Sequence, residues 1–392
     1  MYPSATVVRL ALSQALYLSA VSVGLTLTGI VGQMLAPDKA LATIPYALIA
    51  VATAVVTTPL SLAMGRWGRR PWFLFGAAAG ACGGAVSALA ILRGDFWLFC
   101  LGNALMGVYQ ASTQYYRYAV ADAVPAASRP RAIAWVMAGG VIAAVAGPWI
   151  GAEARDWFAP VSFAGSYAAV TLLSLVALAL LVGLDLPRPS PAEIAGDARP
   201  LSEIARQPAF VAALANSALG YAVMIFVMTA TPLAALACAL SVDQAASIIQ
   251  WHLVGMFAPS FLAGPLIGRI GVTRVLLLGS GLIAMGAGIA LSGIALEHFW
   301  LSLFLNGVGW NFLYVGGTTL MTAVPRPAER ARVQGIAEFI TFGVTAAGSL
   351  AAGIAWQALG WQAVNLIALA LLAPTVAATL WHGAAARRTV SV

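Results

Sequence analysis

Two methionine-bearing pairs are the side chains in this sequence best suited to chemistry. Met224 and Met228 stand four apart in Tyr221-Ala222-Val223-Met224-Ile225-Phe226-Val227-Met228. His252 and Met256 stand four apart in Trp251-His252-Leu253-Val254-Gly255-Met256-Phe257. Helical positions i and i+4 share a face, so each pair presents two neutral donors side by side. Thioethers are soft ligands that select Cu(I), and imidazole also suits copper. Magnesium, calcium and manganese want carboxylates and carbonyls, and zinc favours histidine with cysteine or carboxylate. Thioethers need no deprotonation, so such a site loads in mildly acidic surroundings. Packing is the competing reading: methionine fills gaps in apolar cores, and a membrane histidine serves equally as a helix–helix hydrogen-bond partner.

These donors lie in a chain that is 61% hydrophobic and 8% charged, with a mean hydropathy of +0.91. A soluble domain carries about 25% charged residues. Apolar runs long enough to span ~30 Å of hydrocarbon recur along it. They fall near 10–34, 40–64, 72–92, 96–120, 132–152, 158–183, 208–235, 242–267, 275–295, 299–322, 333–355 and 361–382. The first is too long for a signal peptide and reads as a retained helix. The expected fold is an all-α membrane protein with twelve transmembrane helices in two pseudo-symmetric six-helix halves. Residues 1–183 form the N-terminal half, 184–207 a cytoplasmic linker and 208–392 the C-terminal half.

Arginines cluster on one side of these spans, and only Lys39, Arg93 and Arg155 fall on the other. The positive-inside rule then makes both termini cytoplasmic. The net charge of +7 is that bias and no nucleic-acid footprint. Lys39 is the sole lysine, so there is no P-loop, and no H-E-x-x-H or G-x-S-x-G occurs. An enzyme is not expected, nor is a permanent cofactor. Three cysteines without C-x-x-C give no disulfide framework or structural zinc site.

The halves repeat each other. Gly65-Arg66-Trp67-Gly68-Arg69-Arg70 follows span 2 and Gly268-Arg269-Ile270-Gly271-Val272-Thr273 follows span 8, a shift of 203. Arg129-Pro130-Arg131 and Arg330-Ala331-Arg332 precede spans 5 and 11, a shift of 201. Two parallel six-helix repeats are a transporter plan. The chain resembles the major facilitator superfamily over its whole length. Residues 61–70 are similar to that family's loop 2–3 signature, departing at Ser61 and Gly65. Gly147-Pro148-Trp149-Ile150-Gly151 is similar to the motif of its drug–proton antiporters, while Asn103 stands where the helix-4 signature has arginine. The resemblance implies a cytoplasmic latch at Arg66, Arg69, Arg70 and Arg269.

Spans 7 and 8 form an antiparallel hairpin with its turn near 235–242, which puts Met224 and His252 both ~15 Å below the outer end at ~1.5 Å per residue. That is near the bilayer centre, where transporter sites lie. The M-x-x-x-M and H-x-x-x-M pair resembles the CcoA-like bacterial copper importers. That resemblance implies copper as the transported substrate, bound at Met224, Met228, His252 and Met256. It implies import across the bacterial inner membrane for cbb3-type cytochrome oxidase assembly, with a copper chaperone or exporter downstream of a monomer. Cys238, at the outer turn, is either a capture thiol or a small buried residue. Pro259 removes the donor for the Gly255 carbonyl, giving a hinge or a fixed kink.

Other positions stay open. Asn103, Gly107, Gln110, Gln114 and Arg117 share one face of span 4, as a polar cavity wall or a hydrogen-bonded seam. Asp122 and Glu338 fit ion pairing or coupling. The rival cargoes are drugs exchanged for protons and an organic nutrient such as riboflavin, against which Tyr17, Tyr115, Tyr116, Trp310 and Tyr314 could stack. A copper sensor or scaffold that moves nothing is a third rival.

Overall fold

The computed structural model describes residues 4–38, 41–42, 44–186 and 196–390, so Lys39 and Arg188 lie outside the described residues. Every described element is a helix, as expected where backbone groups must be satisfied without water. The long helices are α1 (Ala5–Leu35), α2 (Ile44–Trp67), α3 (Arg70–Arg93), α4 (Phe96–Thr113), then the short α5 (Tyr116–Asp122), α6 (Arg129–Glu153) and α7 (Ala164–Val182). After the linker come α8 (Leu201–Ala205), α9 (Pro208–Leu214), α10 (Gly220–Ala237), α11 (Val242–Phe257), α12 (Ser260–Ile270), α13 (Val272–Ser292), α14 (Leu296–Ala323) and α15 (Arg330–Val390).

Nine segments among the described residues are long and apolar enough to cross a membrane. One of them, Pro327–Arg388, contains two expected spans joined at Gly360, whose φ of 78° interrupts the helix. The expected spans absent from the nine are α4 and α14. These two carry Asn103, Gln110, Asn306 and Asn311 among their apolar residues, and that polarity lowers their hydropathy.

Three expectations about elements need correction, and a further break falls where a proline was expected to give one. Arg9 sits inside α1 rather than before it. Span 4 breaks after Thr113, so Arg117 lies on α5 and the five-residue face is not continuous. Span 7 contains a π-helical turn, Ala215–Leu219, between α9 and α10. Span 8 breaks at Ala258–Pro259, where the proline removes a backbone donor.

The chain divides into two units, Met1–Ala123 with Gly139–Ala195, and Val124–Ala138 with Gly196–Val392. The division at 195/196 falls inside the expected linker. The assignment of Val124–Ala138 to the second unit follows from packing. A Cβ on Gly264 of α12 would lie 2.7 Å from the Arg131 Cα, and the Trp135 and Phe261 rings meet edge to face at 5.7 Å.

In the first unit α4 packs on α2 and α3, and α7 on α1 and α3; in the second α14 packs on α11 and α13, and α10 on α15. The repeat is exact at the loops: Gly68 and Gly271 both adopt φ 85°, a left-handed conformation in which a Cβ is strained. Large apolar side chains such as Leu62, Trp149, Leu262, Leu350 and Ile354 are half or more exposed, as a surface facing hydrocarbon requires.

Candidate functional site

The second unit gathers the side chains with chemical potential on α10, α11, α14 and α15. α14 supplies a stripe at Asn306, Trp310 and Tyr314, spaced by one turn each. Trp310 and Tyr314 stack with centroids 4.9 Å apart and planes 20° apart. Tyr221 of α10 packs against both, at 5.2 and 5.6 Å. Phe257 of α11 meets Trp310 edge-on at 6.1 Å, and Phe342 of α15 meets Tyr221 at 6.4 Å. Four helices therefore converge on one aromatic cluster, in the offset and edge-to-face geometries that ring quadrupoles favour.

Asn306 Nδ2 donates to the Met224 carbonyl at 3.3 Å, which sets α10 against α14 one turn from Tyr221. Its Oδ1 has no hydrogen-bond partner, and neither has Trp310 Nε1. Both residues are almost fully buried, at 3% and 2% exposure. A buried polar atom left unpaired costs about 1–3 kcal/mol, so two such atoms one turn apart mark a place where a ligand could repay the cost.

His252 is fully buried. Its Nδ1 lies 2.7 Å from the Leu303 carbonyl of α14. A carbonyl only accepts, so Nδ1 carries the proton and Nε2, which has no partner, is the bare nitrogen. The crossing is tight: a Cβ on Gly307 would lie 2.7 Å from the His252 carbonyl oxygen and 2.9 Å from the Met256 nitrogen. Asn311 Nδ2 then donates to the Met256 carbonyl at 2.7 Å and to Ser260 Oγ at 2.6 Å. It pins both sides of the Pro259 break, which in this conformation is a held kink. Met224 and Met256 are buried and Met228 is half-buried. Cys238 caps α10 with its backbone N–H, 3.0 Å from the Ala234 carbonyl. Among the described residues no three histidine, cysteine or acidic side chains form a metal-holding group.

The first unit uses its polar residues for packing. Asn103 donates to the Phe99 carbonyl at 2.9 Å and accepts from Thr28 at 3.3 Å. A Cβ on Gly107 would lie 2.4 Å from the Ile49 carbonyl. Gln110 and Gln114 are half-buried, whereas Arg117 is buried with its guanidinium over the Tyr118 ring at 4.9 Å. Tyr115 donates to the Thr57 carbonyl at 2.9 Å, Tyr116 meets Phe73 at 4.7 Å and Tyr17 meets Tyr109 at 5.0 Å.

The basic residues expected at one end are differently engaged. Arg69 pairs with Asp122 at 2.7 Å. Arg70 bonds the Val182 carbonyl, Arg66 lies over Trp67 at 5.3 Å and Arg269 is exposed at the end of α12. Glu338 is fully buried one turn from Phe342. Sequence reasoning missed the linker contact: Arg199 Nε and its amide both donate to Glu329 Oε1 at 2.8 Å, and its second guanidinium nitrogen to Oε2 at 2.7 Å. These bonds, with one from the Arg326 amide, hold the Glu329 carboxyl down at about 2 and push the Arg199 guanidinium up. It also missed Tyr221, Phe257, Phe342 and Asn306, although the i, i+4, i+8 spacing of Asn306, Trp310 and Tyr314 was a readable stripe.

Comparison with known proteins fixes the wider class. Residues 10–236 match the family model described as Major Facilitator Superfamily. A riboflavin transporter, RfnT of Brucella anthropi, is 42% identical over 345 residues, covering 88% of this chain and 87% of the relative. The uncharacterized MFS-type transporter YdeG of Bacillus subtilis is 25% identical and covers 88% of this chain. Among solved structures, a bacterial homologue of the iron transporter ferroportin and the transporter FucP each superpose with a TM-score of 0.76, at 14% and 15% identity over 96% of this chain. At that identity the likeness is one of fold.

The expectation of copper import is overturned by the 42% identical relative, whose cargo is a vitamin and not a metal ion. The donor spacing that suggested copper is also the spacing of a tight α11–α14 crossing, in which His252 bonds α14. What stands is a multi-pass membrane transporter that is not an enzyme: the chain belongs to the Major Facilitator Superfamily.

Proposed function

We propose that this protein imports riboflavin or a closely related flavin, acting in the bacterial cytoplasmic membrane with both termini inside. The observation that carries the reading is the 42% identity with a riboflavin transporter over nearly the whole of both chains. The aromatic cluster supports it independently. A flavin ring is a flat, uncharged heteroaromatic system, and stacking on aromatic side chains is worth about 1–3 kcal/mol per ring. Trp310, Tyr314 and Tyr221 bring three such rings together within one unit. The arginine bias supports the orientation.

Expression in a riboflavin-auxotrophic bacterium tests the reading. Growth on a riboflavin concentration too low for the parent strain is the expected result. Absence of rescue, with the protein shown to be in the membrane, would contradict it.

A further inference from the structure

Several buried polar atoms of the second unit have no hydrogen-bond partner, and two of them, Asn306 Oδ1 and Trp310 Nε1, stand one turn apart on the aromatic stripe. Asn306 has one amide function engaged, Nδ2 with the Met224 carbonyl, so its orientation is fixed and Oδ1 is left as a pure acceptor. Trp310 Nε1 can only donate. The two residues are one turn apart on one face of α14, with Cβ atoms about 6 Å apart by helix geometry. A ligand that satisfies both must offer a donor and an acceptor on one edge of a ring, since the neighbouring surface of Trp310 is already stacked with Tyr314. An imide edge, a carbonyl beside a ring N–H, has that pattern.

We propose that Asn306 Oδ1 and Trp310 Nε1 read the imide edge of a flat heteroaromatic substrate whose ring lies against Tyr221, Trp310 and Tyr314. This rests on the reading of the protein as a flavin importer and adds to it the atoms that select the ring. Asn306 accepts from the ring N–H and Trp310 donates to the adjacent carbonyl. Each hydrogen bond replaces a buried atom that has none, so a ligand lacking the N–H leaves Asn306 unpaired and is rejected. The ribityl chain takes no part in this contact.

Binding to the purified full chain, followed by quenching of flavin fluorescence, tests the inference with riboflavin, 3-methylriboflavin and lumichrome. Lumichrome keeps the imide edge and lacks the ribityl chain; 3-methylriboflavin loses the ring N–H. The wild type is expected to bind 3-methylriboflavin at least about tenfold more weakly than riboflavin, and to bind lumichrome. In Asn306→Leu, riboflavin weakens by about tenfold while 3-methylriboflavin is unchanged, a difference that loss of packing alone does not produce. Trp310→Phe keeps a ring and removes the donor, and is expected to weaken riboflavin and lumichrome alike. Equal binding of riboflavin and 3-methylriboflavin by the wild type overturns the inference. So does undiminished discrimination in both variants. Binding of neither riboflavin nor lumichrome by the wild type overturns the inference and the flavin reading together. Discrimination against the methylated ring without riboflavin uptake by cells leaves this inference standing and removes the transport reading.

Discussion

Helices α4 and α14 occupy equivalent places in the two repeats and carry different chemistry at matching positions. Gly107 and Gly307 differ by 200 in numbering, and each lets a neighbouring helix approach at a distance no Cβ would allow. The partners are Ile49 in the first unit and His252 in the second, a shift of 203. One turn on, Thr53 bonds the Gly107 carbonyl at 3.0 Å, and its counterpart is Met256. The same shift of 200 pairs Gln110 with Trp310 and Gln114 with Tyr314. The crossing is thus a property of the repeat, and the side chains facing away from it are free to differ. The first unit places glutamines where the second places a stacked aromatic pair, so the proposal assigns ring recognition to the second.

The largest expected effect tests the shared crossing. Gly107→Val and Gly307→Val each drive side-chain carbons into backbone atoms less than 3 Å from the Cβ position. Overpacking typically costs about 1–3 kcal/mol and more where backbone must move, so both variants should lose most folded protein by fluorescence-detected size exclusion. Loss in only one would break the equivalence.

The next effect sharpens the difference. Trp310→Ala should lower riboflavin uptake by at least about tenfold, from the ~1–3 kcal/mol that stacking contributes. Gln110→Ala, its counterpart, should change uptake by less than about threefold, within one hydrogen bond's worth. Equal losses would contradict the assignment of ring recognition to the second unit.

His252→Phe removes the Nδ1–Leu303 bond while keeping a ring. An interhelical hydrogen bond in a membrane averages ~0.6 kcal/mol, so the thermal midpoint in detergent should fall by about one degree. Cellular copper, measured by elemental analysis, should match the wild type. A copper deficit without a stability change would reopen the metal reading.

The smallest effect compares the ion pairs of the two units. Glu329 is 2% exposed and Arg69–Asp122 is more open, at 14% and 17%. A carboxyl held below its ordinary value stabilises the fold fully above that value and loses the contribution as pH falls through its folded one. For Glu329 that window runs from 4.5 down to about 2. The stability gap between wild type and Glu329→Gln should hold from neutral pH to about pH 5 and narrow below it. Thermal melts across that range would show it, and a gap that widened on acidification would contradict the assignment.

The all-helical, multi-span fold was legible because it rests on hydropathy. The breaks were less so. Pro259 announced one, but nothing in Gln114-Tyr115 or Ala215–Leu219 distinguishes a turn or a π segment from continued helix, since both are tertiary responses. The site was half legible. His252 was singled out as unusual, yet i, i+4 spacing serves a ligand pair and a helix crossing equally, and only the Leu303 contact shows which neighbour the ring addresses. Trp310 and Tyr314 were noticed among scattered aromatics. Tyr221 could not be joined to them without knowing that α10 lies against α14.

Uptake of radiolabelled riboflavin into liposomes holding the purified protein tests the central claim most directly. The account predicts saturable accumulation that unlabelled riboflavin competes away and that Trp310→Ala lowers by about tenfold or more. Liposomes that accumulate copper and exclude riboflavin would contradict it.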